Sequence, residues 1–224
     1  MLSGSNYSRT VRLKPTKLPF DEPFHQAGYH YLCGIDEAGR GALAGPVVAA
    51  ALIFKPGVVI DGLNDSKCLT PQQRDFLEPQ IKAAALGYGI GLAEADQIDR
   101  INIQQATFLA MKRALEQLNM EPQFILVDGR DFPTFISVKS DQAMPGQAVI
   151  KGDQRSACIA AASVLAKVYR DRLMIGLAAR YPQYGLEQHK GYGTREHRER
   201  IADYGPSPIH RRSFLQAIME KMWV

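Results

Sequence analysis

Residues 31 to 54, YLCGIDEAGRGALAGPVVAAALIF, decide how this chain is read. An apolar run ends in two adjacent carboxylates, Asp36 and Glu37. A turn holding Gly39, Arg40 and Gly41 follows, and a second apolar run returns to Phe54. Two apolar runs joined by a glycine turn read as an antiparallel strand pair. The anomaly is a core strand that terminates in paired negative charge. Neighbouring strand residues point to opposite faces. If both acids serve one site, the chain must leave regular strand geometry there, and the glycines make such a bend inexpensive.

Outward from this hairpin the pattern stays regular. Residues 61–85 hold a loop and then a helix, with Thr70 as N-cap and Pro71 at its first position. GYGIGLAEA (87–95) reads as a third strand. Residues 95–118 place Ile101, Phe108, Met111, Leu115 and Leu118 at helical spacing. FILVDG (124–129) is a buried fourth strand ending at Asp128, and AVIKGD (148–153) a fifth. RSACIAAASVLAKVYRDRLM (155–174) is a long helix whose small residues imply close packing. Loops and short helices follow. The expected fold is a mixed α/β domain over 29–224, with a helical, basic C-terminal part from about residue 180. Residues 1–28, polar and aperiodic, read as a flexible extension.

Three strands thus end in acids: Asp36 with Glu37, Asp128 and Asp153. Each alone has an ordinary reading. An Asp-Glu pair before a turn is usually solvated, Asp128-Gly129 suits a strand-ending turn, and Asp153 is better read as a helix N-cap. Together, on adjacent parallel strands, they would converge where sites form in open α/β sheets. Clustered like charges require either protonation or a hard cation. No His or Cys is placed to make a zinc site, so an all-oxygen shell for Mg²⁺ or Mn²⁺ is expected, and with it phosphoryl chemistry.

Bulk properties agree. The 224 residues are 46% hydrophobic and 22% charged, an ordinary globular composition. No apolar run approaches a membrane span and no signal-peptide core is present, so a cytoplasmic protein without membrane contact is expected. Three dispersed cysteines form neither a disulfide framework nor a C-x-x-C motif. Net charge is +4, but residues 151–224 carry 13 Lys/Arg against 7 Asp/Glu. A basic C-terminal third suits a polyanionic partner. Lys190, Arg195, Arg198, Arg200, Arg211 and Arg212 are candidate phosphate contacts, about half of them expected to touch nucleic acid. His189, His197 and His210 read as structural.

Taken in order, GIDEAGRG, LNDSK, ILVDG, KGD, AAASVLAK and HKGYGT…GPSPIHRRSF resemble bacterial ribonuclease HII, the type 2 ribonuclease H family, from about Tyr29 to Phe214. The resemblance implies a ribonuclease H-like fold, a five-stranded mixed sheet flanked by helices. It implies an endoribonuclease that cuts RNA in RNA–DNA hybrids and acts at single ribonucleotides in duplex DNA, leaving 3′-hydroxyl and 5′-phosphate ends. Roles in ribonucleotide and primer removal, and action as a monomer, go with it. It implies Asp36, Glu37, Asp128 and Asp153 as catalytic ligands of Mn²⁺ or Mg²⁺, with Asp36 bridging two ions. Gly39, Arg40 and Gly41 match the turn that reads the ribonucleotide 2′-hydroxyl. Tyr192 matches the tyrosine that packs on the following sugar, and Lys67 a phosphate contact. The chain departs at Ala42, where the family usually has Pro, and at Cys68, often a second Lys. A replication-clamp contact is not legible. From the residues alone, another metal-dependent nuclease or strand-transferase, or a non-catalytic nucleic-acid-binding module, remains open.

Overall fold

The computed structural model describes residues 18–135, 137 and 140–215. Five strands form one sheet in the order β3-β2-β1-β4-β5: β1 Leu32–Ala38, β2 Val47–Phe54, β3 Ala85–Ala93, β4 Phe124–Asp128 and β5 Gly146–Val149. β1, β2 and β3 pair antiparallel in sequence, while β4 and β5 run parallel to β1. The expected convergence of the first, fourth and fifth strands is therefore met.

Helices cover both faces because both faces are apolar. Ile35, Ala49 and Ile53 pack with Ile98, Ala106, Ala110 and Met111 of α3 (Ala95–Glu116). Ala50, Leu52 and Phe54 pack with Leu77 and Ile81 of α2 (Pro71–Ala84) and with α4 (Ala157–Arg180). The small residues of α4 serve the purpose the sequence suggested. At Gly34 of β1 a Cβ would stand 2.2 Å from the backbone of Cys158, so strand and helix touch main chain to main chain. α2 starts as predicted, with Thr70 and Gln73 closing a capping box.

Three expectations are corrected. The helix of residues 95–118 is broken at Asn102 (φ 65, ψ 166), whose Oδ1 accepts from Gln105 N and restarts the helix; Ile101 is consequently half out of the core. The fifth strand stops at Val149, so Asp153 lies one 3₁₀ turn beyond it. Nor does Asp153 cap α4: Ser156 Oγ does, accepting from Ile159 N at 3.2 Å.

Of the N-terminal extension, residues 1–17 lie outside the described residues. Residues 18–28 pack on the body. α1 (Glu22–Gln26) brings Phe24 against Phe124, and buried Asp21 accepts from Cys158 N at 3.1 Å. Beyond α4, α5 (Leu186–His189) and α6 (Arg195–Tyr204) fold with Leu43, Ala44 and Met174 into a small separate core. No helix among the described residues is long and apolar enough to cross a membrane.

Candidate active site

Parallel register sets the acids side by side. Ile35 of β1 pairs with Val127 of β4, so Asp36 and Asp128 follow on adjacent strands. Asp128 in turn organises Asp153: its Oδ1 accepts from Gly152 N at 2.7 Å and Asp153 N at 3.4 Å. Lys151, left-handed at φ 54, turns the chain so that these amides point back at Asp128. The outcome is a triad, Asp36, Asp128 and Asp153, with one oxygen from each within 4.8 Å of the others.

Glu37 does not join that set. Contrary to the expected break in geometry, β1 keeps its pairing with β2 through Ala38. Asp36 therefore points with Ala38 and Ala50 to the α4 face, and Glu37 to the other. Glu37 lies at the rim, 3.6 Å from Arg40, close enough for its charge to act on Asp36.

The triad is electrostatically incomplete. Asp36 is only 3% exposed; its Oδ1 accepts from Glu37 N at 2.7 Å, but its buried Oδ2 has no hydrogen-bond partner. Burial first, then the charges of Glu37 and Asp128, hold its carboxyl well above the ordinary range. Burial also raises Glu37 against the pull of Arg40, and raises Asp153, with Asp128 and Asp65 adding to it. Lys67 is the nearby counter-charge, 3.3 Å from Asp153 and 3.6 Å from Asp65. Although burial opposes it, the charges of Asp36, Asp65 and Asp153 raise the Lys67 pKa. An orphaned buried oxygen among three carboxylates, with no nitrogen or sulfur donor, fits a small hard dication.

The glycine turn stands next to this triad, and two arginines the sequence reading missed or misplaced hold it. Arg211, one of the six candidate phosphate contacts, is fully buried. It donates to the carbonyls of Gly45 (3.0 Å), Arg40 (2.9 Å) and Gly39 (2.7 Å). Arg170 donates to the carbonyls of Pro46 (2.9 Å), Ala44 (3.0 Å) and Lys190 (2.9 Å). Gly39, at φ +89, lies so close over Arg170 that a Cβ there would stand 1.8 Å from Nε. Gly41 differs: it is exposed, and no atom lies within 4 Å of where its Cβ would be. Arg170 had a sequence signal, since it continues the buried stripe Ser163, Ala166, Arg170, Met174 at helical spacing.

The Tyr192 segment is fastened to the same turn. Leu43 N donates to Gly191 O at 2.8 Å, and Ala42 bridges to Tyr192. The half-buried Tyr192 ring lies 5.3 Å from the Arg170 guanidinium and 5.5 Å from Lys167 Nζ. Among the other basic tail residues, Arg195 pairs with Glu199 and Arg200 with Glu196, and Lys190 folds back on the Glu187 carbonyl. Arg198 and Arg212 are exposed. The three histidines are buried and bond to backbone groups and to one another.

A mixed sheet of this order, carrying strand-end carboxylates under an α4-like helix, defines a metal-dependent nuclease with a ribonuclease H-like fold. A sequence model of the ribonuclease HII family matches residues 33–217. The ribonuclease HII of Geotalea daltonii is 52% identical over 201 residues, 90% of each chain. That of Caldicellulosiruptor saccharolyticus is 48% identical over 199 residues, 89% of this chain and 94% of the other. The crystal structure of ribonuclease H2 from Pyrococcus horikoshii superposes with a TM-score of 0.65 at 28% identity, covering 85% of this chain and 97% of that one. The chain belongs to the ribonuclease HII family, metal-dependent endonucleases acting on RNA–DNA hybrids.

Proposed function

We propose that this enzyme hydrolyses the phosphodiester 5′ of a ribonucleotide, in hybrids and at single ribonucleotides embedded in duplex DNA, leaving 3′-hydroxyl and 5′-phosphate ends. The observation that carries the metal-dependent part is the buried, unpartnered Asp36 Oδ2 beside Asp128 and Asp153. Two Mg²⁺ or Mn²⁺ ions held there would supply an activated water and charge stabilisation at the leaving 3′-oxygen. Asp36, the most buried of the three and the one with an unpartnered oxygen, would be the ligand shared between the ions. Asp128 and Asp153 would complete the shells, while Glu37 would act on the ions through its charge from the rim. Gly152 N and Asp153 N keep the Asp128 carboxylate aimed.

Recognition of the substrate rests on the turn. A 2′-hydroxyl both donates and accepts hydrogen bonds and is the local difference between RNA and DNA. The bareness of Gly41 answers to nothing inside the chain, which suits close approach of a ligand to the backbone at 39–41. Tyr192, joined to that turn, packs on the next sugar, where a deoxyribose leaves room. Arg40 and Lys67, both solvent-accessible at the rim, contact phosphate. In the cytoplasm, acting as a monomer, such an enzyme removes misincorporated ribonucleotides and RNA primers.

The test is cleavage of three matched duplexes: all-DNA, one embedded ribonucleotide, and an RNA–DNA hybrid, each with Mg²⁺, Mn²⁺ or Ca²⁺. The expected result is no cut in DNA and a nick 5′ of the ribonucleotide. Ca²⁺ should support binding with little turnover, its looser coordination holding the reacting groups less well. Cutting of all-DNA duplex, or cutting undiminished by a chelator, would refute the reading.

A further inference from the structure

Behind Tyr192 lie three imidazoles, His189, His197 and His210, each buried. His189 and His197 stack at 4.2 Å between centroids, and His197 Nε2 lies 3.1 Å from His210 Nε2. Backbone groups at the ends of this chain of rings fix where every proton sits. A carbonyl can only accept, so His197 Nδ1, 3.0 Å from Tyr192 O, must carry a proton. The Nε2 of the same neutral ring then accepts, so His210 Nε2 donates to it. His210 Nδ1 is left to accept, and it receives Ser207 N–H at 3.0 Å and Ser207 Oγ–H at 2.8 Å. At the other end Gly191 N donates to His189 Nδ1 at 3.2 Å, leaving His189 Nε2–H for Tyr184 O at 2.9 Å. Every ring nitrogen has at least one partner of the correct sense, and only the neutral rings in these tautomers satisfy all of them.

We infer that His197, its tautomer set by His210, is the positioning residue that orients Tyr192 and thereby tunes the preference for a ribonucleotide followed by DNA. This rests on the proposed role of Tyr192. Tyr192 is held through both peptide units that flank its Cα: its carbonyl accepts from His197 Nδ1–H at 3.0 Å and Thr194 N at 2.8 Å, and its amide donates to His189 O at 3.0 Å. The charged groups around the rings are Arg170, which holds Lys190 O, Arg211 below the turn, and Glu196, whose carboxylate lies beside Gly185. None of these supplies the contact to Tyr192 O. Burial, and for His197 the charge of His189 next, pushes both His197 and His210 down to about 4, so the neutral arrangement holds at working pH.

The experiment measures kcat/KM on a single-ribonucleotide duplex and on an RNA–DNA hybrid for wild type, His197→Leu, His197→Asn and Tyr192→Ala. Asn can place an amide N–H where Nδ1–H stood. His197→Leu is expected to lower the ratio of the two values roughly ten- to hundredfold, the range for a misplaced contact, and His197→Asn to restore most of it. A purely structural role would lower both values together and leave the ratio intact. An unchanged ratio in folded His197→Leu, with a reduced one in Tyr192→Ala, overturns the inference alone. An unchanged ratio in Tyr192→Ala overturns the reading of Tyr192 and the inference with it. Should His197→Leu not fold, ¹⁵N shifts of the wild-type imidazoles decide: a His197 protonated at Nε2 instead of Nδ1 overturns the assignment.

Discussion

Asp36 and Arg211 are both buried charges at the same glycine turn, and their surroundings treat them oppositely. Arg211 finds three carbonyl oxygens within 3.0 Å, and its guanidinium is spread among the dipoles of the very backbone it holds. Asp36 finds one amide for one oxygen, nothing for the other, and two further carboxylates nearby. An unsatisfied buried polar group costs about 1–3 kcal/mol, more when charged. The comparison separates two kinds of functional site. The arginines form a saturated clamp, complete without a ligand, whose work is to keep positions fixed. The acids form an unsaturated pocket, complete only with a cation. Stability and activity should therefore respond in opposite directions when each is altered.

Asp36→Asn should break the pocket most completely. Cleavage should fall by at least about a thousandfold, since the charge holding the metals is gone, while hybrid binding persists. Metal-free Asp36→Asn should nonetheless melt higher than wild type, because mutual repulsion is relieved. Each kcal/mol gained is worth about 2–4 °C for a domain of this size. Kinetics and thermal melts check the two halves, and retained cleavage would remove Asp36 from the metal shell.

Arg211→Leu should do the reverse, costing stability first. Three carbonyls, two of them buried, lose their donor together, at about 1–3 kcal/mol for each buried group left unsatisfied. A urea titration measures the loss. An unchanged midpoint would mean that the carbonyls are satisfied without Arg211 and that the clamp is dispensable.

Adding Mn²⁺ or Mg²⁺ to metal-free protein should sharpen the contrast at smaller scale. Ion at a hundred times its Kd stabilises by about 2.7 kcal/mol. The melting temperature of wild type should rise accordingly, and that of Asp36→Asn much less. Equal shifts in both would place the ion elsewhere.

How far these two regions were legible in the sequence follows from the same difference. Acids at strand ends are visible because they interrupt an apolar pattern; Asp36 and Asp128 stand where strand reasoning placed them. Asp153 was placed beside them by the left-handed turn at Lys151, which no periodicity announces. Glu37 was expected to turn with Asp36 because the glycines permit a bend, yet pairing with β2 continues and holds the strand straight to Ala38. Arg211 stands among the candidate phosphate contacts because charge in a basic tail looks solvated. Its burial depends on tertiary contact with carbonyls more than 160 residues away in sequence. Asn102 shows the same limit locally: a helical apolar pattern runs through it, and only the cap it offers Gln105 reveals the break.

The smallest expected effect is on the pH dependence of stability, where the acid pocket and the buried imidazoles behind Tyr192 pull against each other. His197 and His210 titrate at about 4 in the folded protein against 6.5 when unfolded. Between those values the unfolded chain binds more protons, so their contribution is fully present above pH 6.5 and is lost as pH falls through about 4. Asp36, Glu37 and Asp153 are shifted upward, so the folded protein binds the extra protons there, and their repulsion is relieved as pH falls through the raised values. In metal-free wild type the two slopes oppose, so stability should fall less on acidification than the imidazoles alone would dictate. Removing one acid exposes the imidazoles: Asp36→Asn should lose stability on acidification, by at most about 1.4 kcal/mol per pH unit for each ring. His197→Asn should shift the balance towards the acids and gain stability over the same interval. Urea titrations at four or five pH values distinguish the cases, and parallel curves for all three proteins would show that neither region governs the acid response.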